Sequence, residues 1–174
     1  MGFQTGVTAD MGFGVVGEVF DDGPRRAQPF TLTSDDAANN IFGRAFSVVS
    51  EGVAKAGKTG SLVFAGILIN PKEHVSLGTL AGGSLAPTLT LPNGTIGSLM
   101  SEGSVIVSLP ASANIGDVVY FTTATGAIVT TAPGAAAPGA STLIRGAYVD
   151  RFTRTGAGLA VITLTPESRA NLPA

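Results

Sequence analysis

The 174-residue sequence contains no cysteine and no tryptophan, and only 13% of its residues are charged. The absence of cysteine excludes disulfides, thiolate catalysis and cysteine-ligated metal sites. The charged fraction is about half that of an average soluble domain, and the formal net charge is −2. A balance so close to neutral predicts neither nucleic acid nor an anionic membrane as a partner. We expect a surface so poor in charge to meet other protein instead.

Groups suited to metal or membrane binding are also scarce. The single histidine, His74, stands beside Glu73, and two ligands are too few for a metal site, so we predict no metal and no cofactor. No apolar run reaches the length of a membrane span. The first fourteen residues carry no basic residue before an apolar core, so no secretory signal is predicted.

What the sequence does contain is β-strand pattern, clearest in GDVVYFTTATGAIVTT at 116–131. Two runs of β-branched and aromatic residues flank Ala124-Thr125-Gly126, where glycine supplies the positive φ that a turn needs. This pattern predicts a β-hairpin. Residues 118–121 are all apolar or aromatic, and alternate residues point to opposite faces, so we expect the hairpin to be covered on both sides.

Other short apolar runs are separated by turn residues along the whole chain. The most continuous run, LVFAGILI at 62–69, predicts a central strand buried on both faces. One short helix is predicted over 37–42, after the capping residues 34–36. So many short strands with so little helix predict an all-β fold, either an antiparallel β-barrel or a jelly-roll-like sandwich. The remaining predicted strands are 15–20, 29–33, 45–50, 105–109, 143–152 and 159–164.

We expect a single β-rich domain over residues 15–174, preceded by an extended N-terminal arm over residues 1–14 that is punctuated by glycine. From 74 to about 99 the chain is rich in Gly, Pro, Ser, Thr and Leu without a steady period. Such a long loop excursion is unusual inside a compact domain and is typical of an interface.

Two segments match nucleotide-binding motifs. In GVAKAGKT, residues 52–59, Lys58 would reach the phosphates and Thr59 would bind magnesium. A phosphate site needs a helix to start at the lysine, whereas Gly60 and a β-run follow here, so we interpret the segment as a mobile basic hairpin loop. The segment GFGVVG, residues 12–17, matches the dinucleotide-binding motif. It follows no predicted strand, and a strand rather than a helix is predicted after it, so we predict no dinucleotide site there.

The carboxylates also have local explanations. The pairs Asp21-Asp22 and Asp35-Asp36 could suit glycoside hydrolysis, but a turn and a helix cap account for adjacent acidic residues. Arg25-Arg26, Arg151 and Arg154 are interpreted as solvent-facing or partner-facing charges on loops or edges. No catalytic residue is predicted, and we expect a protein that is not an enzyme.

Three stretches resemble the structural cement (decoration) proteins of tailed bacteriophage heads, the Gp24-like group. They are GEVFDDGPRRAQPF at 17–30, GILINPKEH at 66–74 and GDVVYFTTATGAIVTTAPG at 116–134, and the resemblance extends from about Gly17 to Leu164. It implies a β-barrel or jelly-roll-like virion protein on the outside of an HK97-type capsid, made in the host bacterial cytoplasm, that clamps neighbouring capsomers. The implied partners are the major capsid protein and further copies, as a homo-dimer or homo-trimer.

Two alternatives from other classes stay open. A receptor- or carbohydrate-binding β-module of a phage fibre or spike would need exposed aromatic platforms, for which the chain offers no tryptophan and only Tyr120 and Tyr148. An enzyme would need the phosphate-loop match to be real.

Overall fold

The computed structural model describes residues 14–70, 90–152 and 155–169. In this part of the chain nine β-strands and two short 3-10 helices follow one another. The helices are Ala37–Asn39 and Pro166–Arg169. The strands are β1 (Arg26–Leu32), β2 (Ala45–Ser50), β3 (Val53–Ala56), β4 (Val63–Ile69), β5 (Ile96–Leu109), β6 (Val118–Thr122), β7 (Ile128–Thr131), β8 (Ser141–Arg151) and β9 (Gly158–Leu164).

The first five strands close into a barrel. β1 pairs in parallel with β3, and antiparallel pairs then run from β3 to β2, β2 to β4, β4 to β5 and β5 back to β1. Closure gives each strand a partner on both sides, which removes the sheet edges that would otherwise invite aggregation. Buried apolar side chains fill the interior: Leu32, Phe42, Phe46, Ala54, Ala56, Leu68, Leu91 and Leu99.

A second sheet grows from the same long strand. The second half of β5 pairs with β9, and the order continues through β8 and β6 to β7. Gly103 stands where β5 passes from the barrel to the second sheet, and its φ of 118° lies in the region that favours glycine.

The second core lies between the barrel wall and the second sheet. Neighbouring residues of β4 and β5 alternate between the two cores: Ile67 packs in the second core and Leu68 inside the barrel, and the same holds for Met100 and Leu99. These two strands are therefore buried on both faces, because one side chain in two points into each core. This confirms the prediction of an all-β barrel or sandwich and of a central strand at 62–69.

The predicted strand at 15–20 is wrong. Residues 16–17 form a turn, and Val19 makes only an isolated bridge to Val105. The segment is nevertheless fixed on β5, since the amide of Gly17 donates to the carbonyl of Ile106 at 2.8 Å. Gly17 has a φ of 82°, and this left-handed conformation interrupts the extended backbone that the apolar run favours.

Two strand boundaries differ from the prediction because pairing overrides local pattern. β3, Val53–Ala56, lies inside the predicted loop between β2 and β4, and it is held between β1 and β2. β5 begins at Ile96 rather than at 105, since its first half pairs with both β1 and β4. The predicted excursion thus ends before β5. Residues 74–89 of the excursion, and residues 1–13 of the predicted arm, lie outside the described residues, so the domain boundaries stay predictions.

The predicted helix at 37–42 is a single 3-10 turn. Asp36 caps it as expected, accepting from the amide of Ala38 at 2.9 Å, but the helix ends at Asn39. The next residue is fully buried, and its amide is held in a side-chain network: Asn40 accepts from the hydroxyl of Ser34 at 2.5 Å and donates to Asn93 at 2.8 Å. These bonds satisfy polar groups that would be costly to bury unpaired, so they fix Asn40 outside a helix.

Candidate functional site

The second sheet has one face in the core and one facing outward. We call the outward side the outer face and define it by Val118, Tyr120, Val129, Leu143 and Tyr148. Val118 lies opposite Tyr148, and Tyr120 lies opposite both Val129 and Leu143. Residues that oppose each other across strands share a face, and the register therefore brings apolar residues from three strands together.

The outer face is open to solvent. Leu143 and Tyr148 are each 39% exposed, whereas Val119 and Phe121 on the other side of β6 are fully buried. The prediction that the hairpin is covered on both sides is therefore wrong for this chain by itself. The barrel covers the inner side, whereas Leu143 and Tyr148 stay exposed on the outer side.

The chemistry of the outer face is apolar and hydroxyl-rich. The row through Val118 and Tyr148 continues to Thr163 and Ser104, whose hydroxyls lie 3.0 Å apart. Tyrosine offers a large apolar ring with one polar atom and is enriched in protein interfaces. An apolar sheet face of this kind is suited to bind another protein rather than a small charged ligand.

A glycine joint fastens the β6–β7 hairpin to the barrel. The amide of Ala45 donates to the carbonyl of Gly126 at 2.8 Å, and the amide of Gly57 donates to the carbonyl of Ala45 at 3.0 Å. A Cβ atom at either glycine would lie closer than 3.0 Å to a backbone oxygen, and both residues have positive φ. Only glycine fits at these two positions, so the joint fixes where the outer face lies relative to the barrel.

A cavity of about 360 Å³ opens where the barrel, the second sheet and the 14–20 segment meet. Among the described residues that line it, Arg44 is the only charged one. Its Nη1 donates to Asn39 Oδ1 at 2.5 Å and to the carbonyl oxygen of Thr125 at 3.3 Å. Burial lowers the pKa of the Arg44 guanidinium, an effect that the charge of Asp36 partly offsets. The lining residues are Val16, Ile41, Phe42, Gly43, Arg44, Ser108, Pro110, Ala127 and Ile128.

Comparison with known proteins agrees with this architecture. The family model described as "Structural cement protein (E217 gp24/Pam3 gp6)" matches residues 3–165, nearly the whole chain. The chain belongs to the phage structural cement protein family. Its fold is similar to that of a chain in the solved structure titled "The capsid of Myoviridae Phage XM1", with a TM-score of 0.64 at 13% identity, covering 95% of this chain and 99% of that one. No curated protein matches the sequence.

Family membership confirms the resemblance that the sequence carries, and it assigns this cement protein a structural role in a phage capsid. In the described part of the cement protein there is no group of three or more histidine or acidic residues that could hold a metal ion. The described part also contains no helix long and apolar enough to cross a membrane.

The phosphate-loop match has a structural explanation in the cement protein. Gly52, with a φ of 70°, makes the turn between β2 and β3. The next four residues form β3, and Gly57 after them belongs to the glycine joint. The amide of Lys58 donates to the carbonyl of Thr123 at 2.8 Å, and the chain continues into β4 instead of a helix. The prediction of a mobile loop is wrong, because strand pairing fixes the middle of the motif.

The carboxylate pairs have the local roles that the sequence predicts. Asp21 accepts from the amide of Gly23 at 3.2 Å within a turn, while Asp36 caps the first 3-10 helix. Asp35 forms a salt bridge of 3.0 Å with Lys55 on β3. His74 and Glu73, and Gly12 and Arg154, lie outside the described residues.

The described arginines of the predicted outward set are all exposed: Arg25, Arg26 and Arg151. This agrees with their interpretation as outward charges. Arg151 also contacts its own chain, with its guanidinium carbon 5.3 Å from the centre of the Phe20 ring. Phe20 and Phe152 meet edge to face at 6.0 Å. The contact between Arg151 and Phe20 is a cation–π interaction. Together the two contacts of Phe20 hold the 14–20 segment against the end of β8.

Sequence reasoning missed both the outer face and the Arg44 cavity. The apolar residues of the outer face were visible in β6 and β8, but their exposure depends on which side the barrel covers. The cavity is assembled from separate segments around Ile41, Pro110 and Ala127, and no local pattern connects them.

Proposed function

We propose that this protein binds the outside of an HK97-type phage capsid and cements neighbouring capsomers. The observation that carries the proposal is the family match over residues 3–165. The exposed outer face supports it, since a protein bound to a shell needs a surface that gains from leaving water. Burial of apolar area supplies most of that gain, at about 25 cal/mol per Å².

The outer face is the surface that we assign to the capsid protein. The centres of protein interfaces are poor in charge and rich in aromatic and aliphatic residues, and the face formed by Tyr120, Leu143 and Tyr148 has that composition. No charged residue stands at its paired positions, but Arg145 is exposed between Leu143 and Tyr148 on β8. We place Arg145 at the rim of the interface, where its charge stays in water, since burying an unpaired charge is costly.

Cementing requires a second surface, because a protein that joins two subunits must contact both. On the barrel wall Thr31 lies opposite both Val53 and Ile96. Ile96 is 62% exposed and Val49, at the end of β2, is 46% exposed. We call these residues, Thr31, Val49, Val53 and Ile96, the barrel patch. Neither β1 nor β3 contributes a residue to the second core, so the barrel patch faces away from the second sheet. We assign it to a second copy in a homo-dimer or homo-trimer, since closed symmetry is the usual form of such assemblies.

The test uses phage heads that lack the protein. Adding wild type is expected to raise the temperature at which the heads burst. The double variant Leu143→Ser, Tyr148→Ser should bind at least about tenfold more weakly, a loss of about 1.4 kcal/mol, while its own melting temperature falls by only a few degrees. The matched control is Ile115→Ser, an exposed apolar residue in the β5–β6 loop, which should bind like wild type.

Heads that are equally heat-resistant with and without wild type would refute the cementing role. Heads stabilised equally by wild type and by the double variant would instead show that another surface makes the contact.

One observation favours the receptor- or carbohydrate-binding alternative: the two tyrosines of the chain, Tyr120 and Tyr148, share the outer face. Stacking of sugar rings on such a pair would give binding to host cells instead of heads. Labelled wild type that binds host cells and not heads, with binding lost in Tyr148→Ser, would establish that alternative.

We also propose that the protein does not bind nucleoside triphosphates through the 52–59 motif. β3 occupies the positions where a phosphate loop would curve around its ligand, and the amide of Lys58 is already bonded to Thr123. Calorimetry with ATP or GTP and magnesium is expected to show no micromolar binding. Micromolar affinity that disappears in Lys58→Ala would contradict this prediction.

A further inference from the structure

We propose that the cavity beside Arg44 is an anchor pocket for a segment of the capsid protein that carries a carboxylate next to a large apolar side chain. This inference rests on the proposed function, and it adds to the outer face a second, charge-specific contact with the same partner.

The size and walls of the cavity fit an apolar side chain. Its volume of about 360 Å³ lies at the lower end of the range of about 300–1,000 Å³ that binding pockets span. The walls are formed mainly by apolar residues, among them Ile41, Phe42, Pro110 and Ile128. An aliphatic or aromatic side chain that enters this space leaves water, and anchor residues in pockets of this kind contribute a large part of the binding energy at protein interfaces.

The charge of the cavity specifies the second part of the ligand. A guanidinium has five N–H donors, and the two hydrogen bonds of Arg44 both leave from Nη1. The charge of Asp36 acts on the guanidinium, but among residues 14–70, 90–152 and 155–169 no carboxylate lies within ion-pair distance of it. Nη2 and Nε can thus donate to a carboxylate, which arginine binds in a two-pronged geometry. A partly buried cation with apolar walls complements an acidic group flanked by apolar residues, and it repels a basic one.

The contacts of Arg44 also hold it in position. Asn39 is the last residue of the first 3-10 helix and Thr125 belongs to the β6–β7 link, so the guanidinium spans the same junction as the glycine joint. A side chain fixed by two acceptors loses little further freedom when a carboxylate binds, which favours binding. An anchored segment would touch the barrel and the second sheet together.

The experiment measures the dissociation constant for phage heads that lack the protein. Arg44→Gln removes the charge, and Ser108→Leu narrows the cavity from an exposed position on β5. Each is expected to weaken binding at least about tenfold, whereas Arg25→Gln, the loss of an exposed arginine that lies outside both the cavity and the outer face, should stay within about twofold. Arg44→Lys keeps the positive charge but lacks the paired N–H donors of the guanidinium, so its affinity should lie between those of Arg44→Gln and wild type.

A photo-reactive benzophenone residue at position 108 identifies the occupant on the heads. The expected product is a crosslink to a capsid-protein peptide in which Asp or Glu neighbours a large apolar residue. Unchanged affinity in both Arg44→Gln and Ser108→Leu, or a crosslink only to another copy of this chain, would overturn the inference. Should Arg44→Gln fail to fold, Ser108→Leu and the crosslink decide. Wild type that does not bind heads overturns the proposed function itself, which distinguishes the two failures.

Discussion

Truncation of Phe121 to alanine is expected to lower the free energy of unfolding by about 3–5 kcal/mol. The side chain is fully buried in the second core, between the barrel wall and the second sheet. Its ring packs against that of Phe64 on β4, with centroids 5.8 Å apart. The truncation therefore removes apolar burial and leaves a void where the two layers meet. Because small domains are stable by only about 5–15 kcal/mol, a large part of the total would be lost.

Urea unfolding of Phe121→Ala measures the effect, with Tyr120→Ala as the matched control. Tyr120 is the neighbouring residue on the same strand, but it lies on the outer face and is only partly buried, so its truncation should cost clearly less. Phe64→Ala should fall in the same range as Phe121→Ala. The double variant should cost less than the sum, since the two rings share one contact. Unchanged midpoints for both phenylalanine variants would contradict the placement of β4 and β6 in one core.

Replacing Gly57 by alanine is expected to cost about 1–3 kcal/mol more than the same change at Gly52. Both residues have similar positive φ, 76° and 70°, so the strain of placing a Cβ in the left-handed region, about 1–2 kcal/mol, is common to both. Only at Gly57 would the new Cβ also collide with a backbone atom, the carbonyl oxygen of Thr123; at Gly52 it would meet open space. The difference therefore isolates the joint between the barrel and the hairpin.

Thermal and urea unfolding of the two variants give this difference directly. Gly126→Ala, whose Cβ would collide with the carbonyl oxygen of Ala45, should behave like Gly57→Ala. Equal stabilities for Gly52→Ala and Gly57→Ala would show that the backbone at the joint moves aside without loss, and that the close approach does not hold the two layers together.

The joint also explains why a nucleotide motif occurs in a cement protein. The first glycine of the motif, Gly52, is needed for a hairpin turn, and the second, Gly57, for the close approach of two backbone segments. Lys55 between them forms a salt bridge with Asp35. Glycines required by the fold happened to fall at the spacing of a phosphate loop. The helix that would make the spacing meaningful is replaced by β4, and the sequence already indicated this through the apolar run after Gly60.

The sequence by itself determined the elements whose local pattern is strong. The run at 62–69 has enough consecutive apolar residues to be a strand buried on both sides, and the hairpin at 116–131 has β-branched runs around a glycine turn. Both appear where predicted. The family could also be predicted from the sequence, since two of the three stretches that resemble it, 66–74 and 116–134, overlap these strands.

Only the tertiary structure decided the features that depend on partners distant along the chain. β3 is a strand because β1 and β2 hydrogen-bond to it on both sides, although its four residues carry a weak pattern. Val118 and Tyr120 look as apolar as Val119 and Phe121, and the barrel decides which pair is buried. Arg44 becomes a cavity residue only when separate segments meet around it. Local sequence sets the preference of the backbone, but burial is a property of what packs against each face, and that is fixed by contacts between residues far apart in the chain.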